Sequence, residues 1–125
     1  MKIFIVDDSL LLCDKLSNLI RENLEVEHID CFHQAAGAIR SIEEARPEVV
    51  ILDIRLPDGN GIDLLKEIKL RSPAPKIIMF TSYAYPHYRK KCLSAGADYF
   101  FNKSSEFEKV IQVLKDKTSD DLLKA

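Results

Sequence analysis

The sequence predicts an α/β fold in which five parallel strands form one sheet with helices on both of its faces. Five short apolar segments alternate along the chain with five segments whose apolar residues recur at helical spacing. Such alternation is typical of a doubly wound parallel sheet with right-handed crossovers. With 125 residues and 46% hydrophobic composition, the chain is long and apolar enough for one core. We therefore expect a single domain over residues 1–125.

The first apolar segment, Lys2–Val6, predicts a buried strand and is followed at once by two acids, Asp7 and Asp8. Ser9 is a favourable helix N-cap, and apolar residues recur at helical spacing from Leu12 onward. This helix is expected to cover one face of the sheet. The two acids therefore follow the carboxyl end of the first strand.

The second strand is predicted over residues 26–32, and a second segment with helical spacing follows it. That helix must end near Arg46, because Pro47 disfavours helical backbone in the residue before it. The third strand follows directly as Val49–Leu52, a continuous aliphatic run typical of a central strand in a parallel sheet.

An acid also ends the third strand, since Asp53 follows Leu52 directly. The segment Leu56–Gly61 reads LPDGNG and carries one proline with fixed φ and two glycines that tolerate positive φ. This composition predicts a tight loop that turns the chain back beside Asp53. A third helix is predicted from Ile62 onward.

The fourth strand, Lys76–Phe80, ends at a hydroxyl residue, Thr81. Pro86 suits the first turn of a fourth helix, and Gly96 suits the left-handed residue that follows a helix. The helix between them is only weakly amphipathic.

A short fifth strand, Asp98–Phe101, is followed by Lys103. Ser105 and Glu108 predict a capping box at the start of the last helix, and the polar residues 117–125 are expected to form a frayed tail. Together, the five strand and helix pairs predict a flavodoxin-like (βα)5 doubly wound fold.

Charged and hydroxyl side chains follow four of the five predicted strands. Because the strands of a parallel sheet end at the same edge, these side chains are expected to converge on one cleft. They are Asp7, Asp8, Asp53, Thr81 and Lys103. Neighbouring carboxylates repel by about 1 kcal/mol per pair in water, so the cluster favours a hard divalent cation such as Mg²⁺. Asp53 is the leading nucleophile, because a carboxylate can attack phosphorus while Lys103 and Mg²⁺ neutralise the transferred oxygens.

These motifs resemble those of the receiver domain of two-component response regulators, over residues 2–115. The resemblance rests on the acidic pair after the first strand, Asp53 with the Leu-Pro-Asp-Gly-Asn-Gly loop, Thr81, the sequence Ala-Gly-Ala-Asp-Tyr, and Lys103. One departure is Ser104, because receivers usually have a proline here, joined to the lysine by a cis peptide bond.

The resemblance implies that residues 1–125 form a single receiver domain. It implies that Asp53 accepts a phosphoryl group from a phosphohistidine on a sensor histidine kinase or a phosphotransfer protein. It also implies that Asp8, Asp53 and the backbone carbonyl of Arg55 hold Mg²⁺, with Asp7 acting through water.

A second implication of the resemblance is a switch pair, Thr81 and Tyr99. Phosphorylation would change an output surface made by the fourth helix, the fifth strand and the fifth helix. That surface would contact a downstream effector or output domain, or a second copy of the chain in a homodimer. Such a domain is not an enzyme with substrate turnover, since it catalyses only its own phosphorylation and dephosphorylation.

Three other functions fit parts of the pattern less well. A haloacid dehalogenase-like phosphatase also forms an aspartyl phosphate, but it needs an acid two residues after the nucleophile, where this chain has Arg55. A flavodoxin-like cofactor binder would need a phosphate loop rich in Ser, Thr or Gly after the first strand, where two acids would repel a phosphate. A receiver-like interaction module that works without phosphorylation is the main alternative, although the intact Asp8, Asp53, Thr81 and Lys103 argue against it.

The overall composition argues against several classes of partner. A formal net charge of −2 and a pI near 5.9 disfavour direct binding to nucleic acid or to an anionic membrane. The sequence shows neither a signal-peptide pattern nor a stretch apolar enough to span a bilayer, so a cytoplasmic location is expected. Cys13, Cys31 and Cys92 lack metal-ligand or paired spacing and are predicted to be reduced packing residues.

Overall fold

The computed structural model describes the backbone of residues 1–124 and the side chains of residues 1–118. The main sheet contains β1 (Lys2–Val6), β2 (His28–Phe32), β3 (Val49–Leu52), β4 (Lys76–Thr81) and β5 (Tyr99–Asn102). The helices are α1 (Leu10–Asn23), α2 (Ala38–Ala45), α3 (Gly61–Lys69), α4 (Pro86–Ser94) and α5 (Phe107–Lys124). All pairs in the main sheet are parallel, in the order β2-β1-β3-β4-β5. The predicted fold class is confirmed.

The core consists of two apolar layers, one on each face of the sheet. One layer packs the sheet against α2, α3 and α4, and the other packs it against α1 and α5. The central strand β3 is buried at every position, with alternate residues entering opposite layers. Its continuous aliphatic sequence follows from this, because a strand covered on both faces has no side for polar residues.

The strand order places the ends of β1 and β3 side by side at the middle of the sheet. From β1 the chain crosses first to β2 on one side and later to β3 on the other. In open α/β sheets such a reversal opens a crevice beyond the carboxyl ends of the strands, where ligands usually bind. The acids that follow β1 and β3 therefore lie at the crevice where ligands usually bind in this fold.

Several local boundaries agree with the sequence. The hydroxyl oxygen of Ser9 accepts a hydrogen bond from the backbone N–H of Leu12 at 3.1 Å, which caps α1. Pro86 is the first residue of α4, and Gly96, just beyond its end, has φ of 106°. Arg46 ends α2 immediately before Pro47.

Other boundaries differ from the prediction. β5 begins at Tyr99 rather than at Asp98, because the Asp98 carboxylate binds the neighbouring strand and Lys69 instead of entering the strand. The loop after β3 contains an unpredicted antiparallel ladder of Arg55–Leu56 with Gly59–Asn60.

The expected frayed tail is also wrong for the described part of the chain. Residues 117–124 continue α5, since this stretch has no glycine or proline that would end a helix. Ala125 lies outside the described residues. The one cis peptide bond among residues 1–124 is Ser72–Pro73, so the bond from Lys103 to Ser104 is trans.

Candidate functional site

Three carboxylates meet in the crevice between β1 and β3. Asp7 and Asp53 are buried, with 2% and 6% of their surface exposed, whereas Asp8 is exposed. One oxygen from each of the three lies within 4.8 Å of the others. Burying two acids side by side is costly unless cations and hydrogen bonds compensate their charge.

Lys103 supplies the nearest cation. Its Nζ lies 2.7 Å from Asp7 Oδ2 and 2.8 Å from Asp53 Oδ2, so one ammonium bridges both buried acids. Its backbone N–H donates to the carbonyl of Thr81 at 3.0 Å, which fixes the lysine at the end of β5. Three carboxylates and one ammonium leave an excess of negative charge in the crevice.

The proton affinities follow from this arrangement. Burial raises the pKa of Asp7 above its ordinary value, and the hydrogen bonds from Lys103 and from the Ser9 backbone only partly oppose it. Burial by itself would lower the pKa of Lys103, but the hydrogen bonds to Asp53 and Asp7 outweigh it and raise this pKa. Lys103 therefore stays charged at neutral pH.

The backbone around Asp53 positions its two oxygens separately. Oδ1 accepts a hydrogen bond from the Ile54 N–H at 2.7 Å, while Oδ2 accepts from Lys103. Gly61 packs so closely that an added Cβ would overlap the Asp53 carbonyl oxygen. Only glycine permits this approach, which holds the loop after β3 against the acid.

Thr81 lies at the end of β4 on the other side of Asp53 and is fully buried. Its hydroxyl oxygen accepts a hydrogen bond from the Tyr83 N–H at 3.1 Å. The Arg55 guanidinium lies over the Tyr83 ring, 4.3 Å from the ring centroid. This cation–π contact joins the loop after β3 to the loop after β4 beside the site.

The residues present fit Mg²⁺. The ion prefers oxygen ligands, and Asp7, Asp8 and Asp53 each offer a carboxylate oxygen within one small cluster. The Arg55 carbonyl belongs to the loop that Gly61 holds against Asp53. The uncompensated negative charge also favours a cation over an anion at this position.

The structure does not bring the predicted switch residues together. Tyr99 pairs with Ile78, three positions along β4 from Thr81. Its ring is exposed and stacks on Phe101, 5.8 Å away, on the sheet face covered by α1 and α5. Thr81 shares its face with Met79, which packs on the opposite side.

Phe100, which the sequence reasoning missed, is the buried aromatic residue of β5 on the same face as Thr81. It pairs with Met79, two positions before Thr81 in β4. Strand alternation could have found it, because Thr81 pairs with Asn102 and residues two apart share a face. The resemblance implied Tyr99 as the aromatic partner, but the register places the Tyr99 side chain on the face opposite Thr81.

The family model described as the response regulator receiver domain matches residues 3–115 of this chain. The chain belongs to this family.

Two relatives illustrate the range of this receiver domain family. The chain is 31% identical over 116 residues to the DNA-binding transcriptional activator DevR/DosR of Mycobacterium tuberculosis, covering 93% of this chain and 54% of that protein. It is 24% identical over 115 residues to the chemotaxis protein CheY of Listeria monocytogenes, covering 92% of this chain and 96% of CheY. The chain thus spans about half the length of several curated relatives it matches, and nearly all of CheY.

Solved receiver structures have the same fold. A LuxR-family DNA-binding response regulator from Staphylococcus aureus matches with a TM-score of 0.83 and 27% identity, covering 92% of this chain and 96% of the other. The BeF3-activated DrrB receiver domain matches with a TM-score of 0.80 and 26% identity, covering 92% and 94% of the two chains. Among the described residues, no helix is both long and apolar enough to cross a bilayer.

Membership fixes the general role. This is the receiver domain of a two-component response regulator, and receiver domains are phosphorylated signalling modules that bind Mg²⁺ at an acidic pocket. Response regulators work with sensor kinases and with output domains.

Proposed function

We propose that Asp53 is the phosphoryl acceptor of this receiver domain. The observation that carries the proposal is the bridge from Lys103 to both Asp53 and Asp7 at the end of the two central strands. A nucleophilic carboxylate, a fixed ammonium and two further acids for a cation are the parts that phosphoryl transfer needs. The donor would be a phosphohistidine on a sensor histidine kinase or a phosphotransfer protein.

Asp53 performs the covalent step. One of its carboxylate oxygens attacks phosphorus, and the bond from phosphorus to the donor nitrogen breaks as the new bond to oxygen forms. The donor nitrogen leaves with the electron pair of the broken bond. Oδ1 is held by the backbone N–H of Ile54, which is fixed in place. Oδ2 is held by Lys103, whose flexible side chain can move aside. Oδ2 is therefore the oxygen that can be released from its partner.

Lys103 then changes its partner. Its ammonium leaves the carboxylate and donates to the oxygens of the transferred phosphoryl group, whose negative charge has replaced that of Asp53. Bound Mg²⁺ would neutralise the remaining charge, and Asp8, Asp53 and the Arg55 carbonyl are the proposed ligands, with Asp7 acting through water. The chain catalyses only its own phosphorylation and dephosphorylation in this scheme and does not turn over a separate substrate.

Thr81 starts the conformational response. Its hydroxyl would turn toward the phosphoryl oxygens, which compete with the present contact to the Tyr83 N–H. Losing that contact frees the loop between β4 and α4. We place the linked movement at Phe100, which shares the face of Thr81, rather than at Tyr99. The surface of α4, β5 and α5 is the proposed output surface.

The partners follow from that surface. A downstream effector or output domain, or a second copy of the chain, would bind it after phosphorylation. DevR/DosR is named a DNA-binding activator, but the present chain spans about half of it. For this segment, with a net charge of −2, we propose no direct contact with nucleic acid or membrane and a cytoplasmic setting.

A labelling experiment tests the acceptor. The chain is incubated with acetyl phosphate and Mg²⁺ and its intact mass is measured. Wild type should gain one phosphoryl group, Asp53→Asn should gain none, and adding EDTA should abolish labelling. Asp63→Asn is the matched control, because Asp63 is exposed on α3. Labelling that persists in Asp53→Asn would refute the assignment, and unlabelled wild type would favour the phosphorylation-independent module.

A second variant tests the route of the response. Thr81→Ala should still be labelled on Asp53 but should lose most of the amide NMR shifts that beryllofluoride causes around Phe100 and Tyr83. Shifts of full size in this variant would mean that the signal leaves the site by another route.

A further inference from the structure

Two of the three cysteines lie together beside the acid cluster. Cys13 is buried on α1, and Cys31 is half-buried on β2. Both belong to the apolar layer under α1 and α5, whereas Cys92 lies in the layer on the other face of the sheet. Cys13 and Cys31 are thus neighbours, and Cys92 is separated from them by the sheet.

Three contacts locate the pair. The Ser17 hydroxyl lies 3.8 Å from the Cys31 sulfur, so Cys31 sits beneath the turn of α1 that also carries Cys13. Cys31 pairs with Ile5 in β1, two residues before Asp7, and Ile5 packs in the same apolar layer as Cys13. The Cys13 thiol in turn donates to the Asp7 carbonyl at 3.7 Å.

The two thiols differ in access. Cys13 is only 2% exposed, but Cys31 lies on β2, an edge strand of the sheet, and keeps part of its surface exposed. The neighbouring Cys13 thiol lowers the pKa of Cys31 below its ordinary value, and the Ser17 hydroxyl adds to this effect against the opposing influence of burial. Cys31 is therefore the thiol that an oxidant would meet first.

We propose that Cys13 and Cys31 are a dithiol modification site that a peroxide-class oxidant closes to an intramolecular disulfide. The Cys31 sulfur attacks a peroxide oxygen, the O–O bond breaks, and Cys31 becomes a sulfenic acid with release of water. The Cys13 sulfur then attacks the Cys31 sulfur, the S–O bond breaks, and a second water leaves with the Cys13 proton. Two thiols are oxidised and one peroxide is reduced to two waters.

The pair is linked to the acid cluster through one backbone atom. The Asp7 carbonyl accepts hydrogen bonds from the Cys13 thiol and from the His33 ring, at 3.7 Å and 2.9 Å. A disulfide has no S–H, so oxidation removes one of these two donors. Oxidation of the pair therefore changes the hydrogen bonding of Asp7, one of the acids bridged by Lys103.

Thiol counting by mass tests the site on the full chain. The protein is exposed to hydrogen peroxide, quenched with catalase, denatured and alkylated with iodoacetamide. Reduced wild type should take up three alkyl groups. Oxidised wild type should lose two hydrogens and take up one alkyl group, on Cys92, and dithiothreitol should restore all three.

Variants identify the partners. The disulfide should be absent from Cys31→Ser. It should also be absent from Cys13→Ala, which serves as the second test variant if Cys31→Ser folds poorly. It should form normally in Cys92→Ala, the matched control, which should then take up no alkyl group. Three free thiols in treated wild type, or a disulfide that includes Cys92, would overturn the proposal.

A carbonyl ¹³C measurement tests the link to the acid cluster. Oxidation should shift the Asp7 carbonyl resonance in wild type and in Cys92→Ala, but not in Cys31→Ser. An unshifted Asp7 resonance in fully oxidised protein would show that the disulfide forms without reaching the acid cluster and would overturn that part of the proposal.

Discussion

Two clusters of aspartate and lysine lie at opposite edges of the same sheet. The carboxyl-edge cluster consists of Asp7, Asp8, Asp53 and Lys103. The amino-edge cluster consists of Asp98, Lys69 and Lys76, with Lys69 Nζ 2.9 Å and Lys76 Nζ 3.7 Å from the carboxylate. The first has three acids for one lysine, and the second has two lysines for one acid.

The pKa values of Asp7 and Asp98 shift in opposite directions. Burial raises the pKa of Asp7, and its hydrogen bonds do not fully compensate. Burial also acts to raise the pKa of Asp98, but hydrogen bonds from Lys69 and from the Ile77 N–H outweigh it and lower this pKa. The amino-edge acid is therefore satisfied by the protein alone, whereas the carboxyl-edge acids are left with charge that a cation can neutralise.

This difference separates structure from function in one molecule. A cluster whose acid is fully paired with cations and a backbone hydrogen bond stabilises the fold and has no need of a ligand. A cluster with excess charge costs stability until a cation binds, and that cost is what makes Mg²⁺ binding favourable. The expected effects of mutation therefore differ in sign between the two edges.

The largest effect is expected at the amino edge. Asp98→Ala leaves Lys69 and the Ile77 N–H without their partner and should lower the free energy of unfolding by about 1–3 kcal/mol. Urea denaturation measures this. Asp14→Ala, on the exposed face of α1, should change the same free energy by less than about 0.5 kcal/mol. A stability loss no larger than that of the control would mean that the amino-edge cluster is not structural.

The next effect concerns the metal at the carboxyl edge. Mg²⁺ at about ten times its dissociation constant should stabilise wild type by about 1.4 kcal/mol. Asp8→Ala should abolish this gain, while its stability without Mg²⁺ should stay level or rise, because one repelling carboxylate is gone. Thermal melts with Mg²⁺ or with EDTA measure both quantities. Asp14→Ala should keep the full gain, and an unchanged gain in Asp8→Ala would place the metal elsewhere.

The smallest effect is in the pH dependence of stability. Because the folded pKa of Asp98 is lowered, its contribution is present above the ordinary value near 3.9 and is lost as the pH falls through the folded value. Because the folded pKa of Asp7 is raised, protonating Asp7 adds stability as the pH falls through that folded value.

Two isosteric variants separate these slopes. On acidification in EDTA, the stability of wild type should fall relative to Asp98→Asn and should rise relative to Asp7→Asn. Urea denaturation at a series of pH values gives both differences. Slopes of the same sign would break the comparison between the two edges.

The two clusters also differ in how well the sequence predicts them. The carboxyl-edge acids directly follow apolar strands. Because parallel strands end at the same edge of a sheet, the sequence alone predicts that these acids lie together. Lys69 and Asp98 lie 29 positions apart and read as ordinary surface charges, and only the fold brings the end of α3 to the residue before β5.

The predicted switch residue Tyr99 lies on the face opposite Thr81 for a local reason. The strand was predicted from Asp98, but Asp98 is held by Ile77 and Lys69 just outside it. The resemblance was carried onto Tyr99, although the register puts Phe100 on the face of Thr81. A shift of one position in a strand moves a side chain to the other face, and sequence patterns rarely fix a boundary that closely.

One NMR titration tests the central claim, that the carboxyl edge carries the chemistry and the amino edge only the structure. Amide spectra of wild type are recorded with Mg²⁺ and beryllofluoride, a stand-in for the phosphoryl group. The backbone amides of Asp8, Ile54 and Lys103 should shift strongly, the amide of Ile77 should not, and Asp53→Asn should show no beryllofluoride response. A strong shift at Ile77 with the carboxyl-edge amides unmoved would contradict the claim.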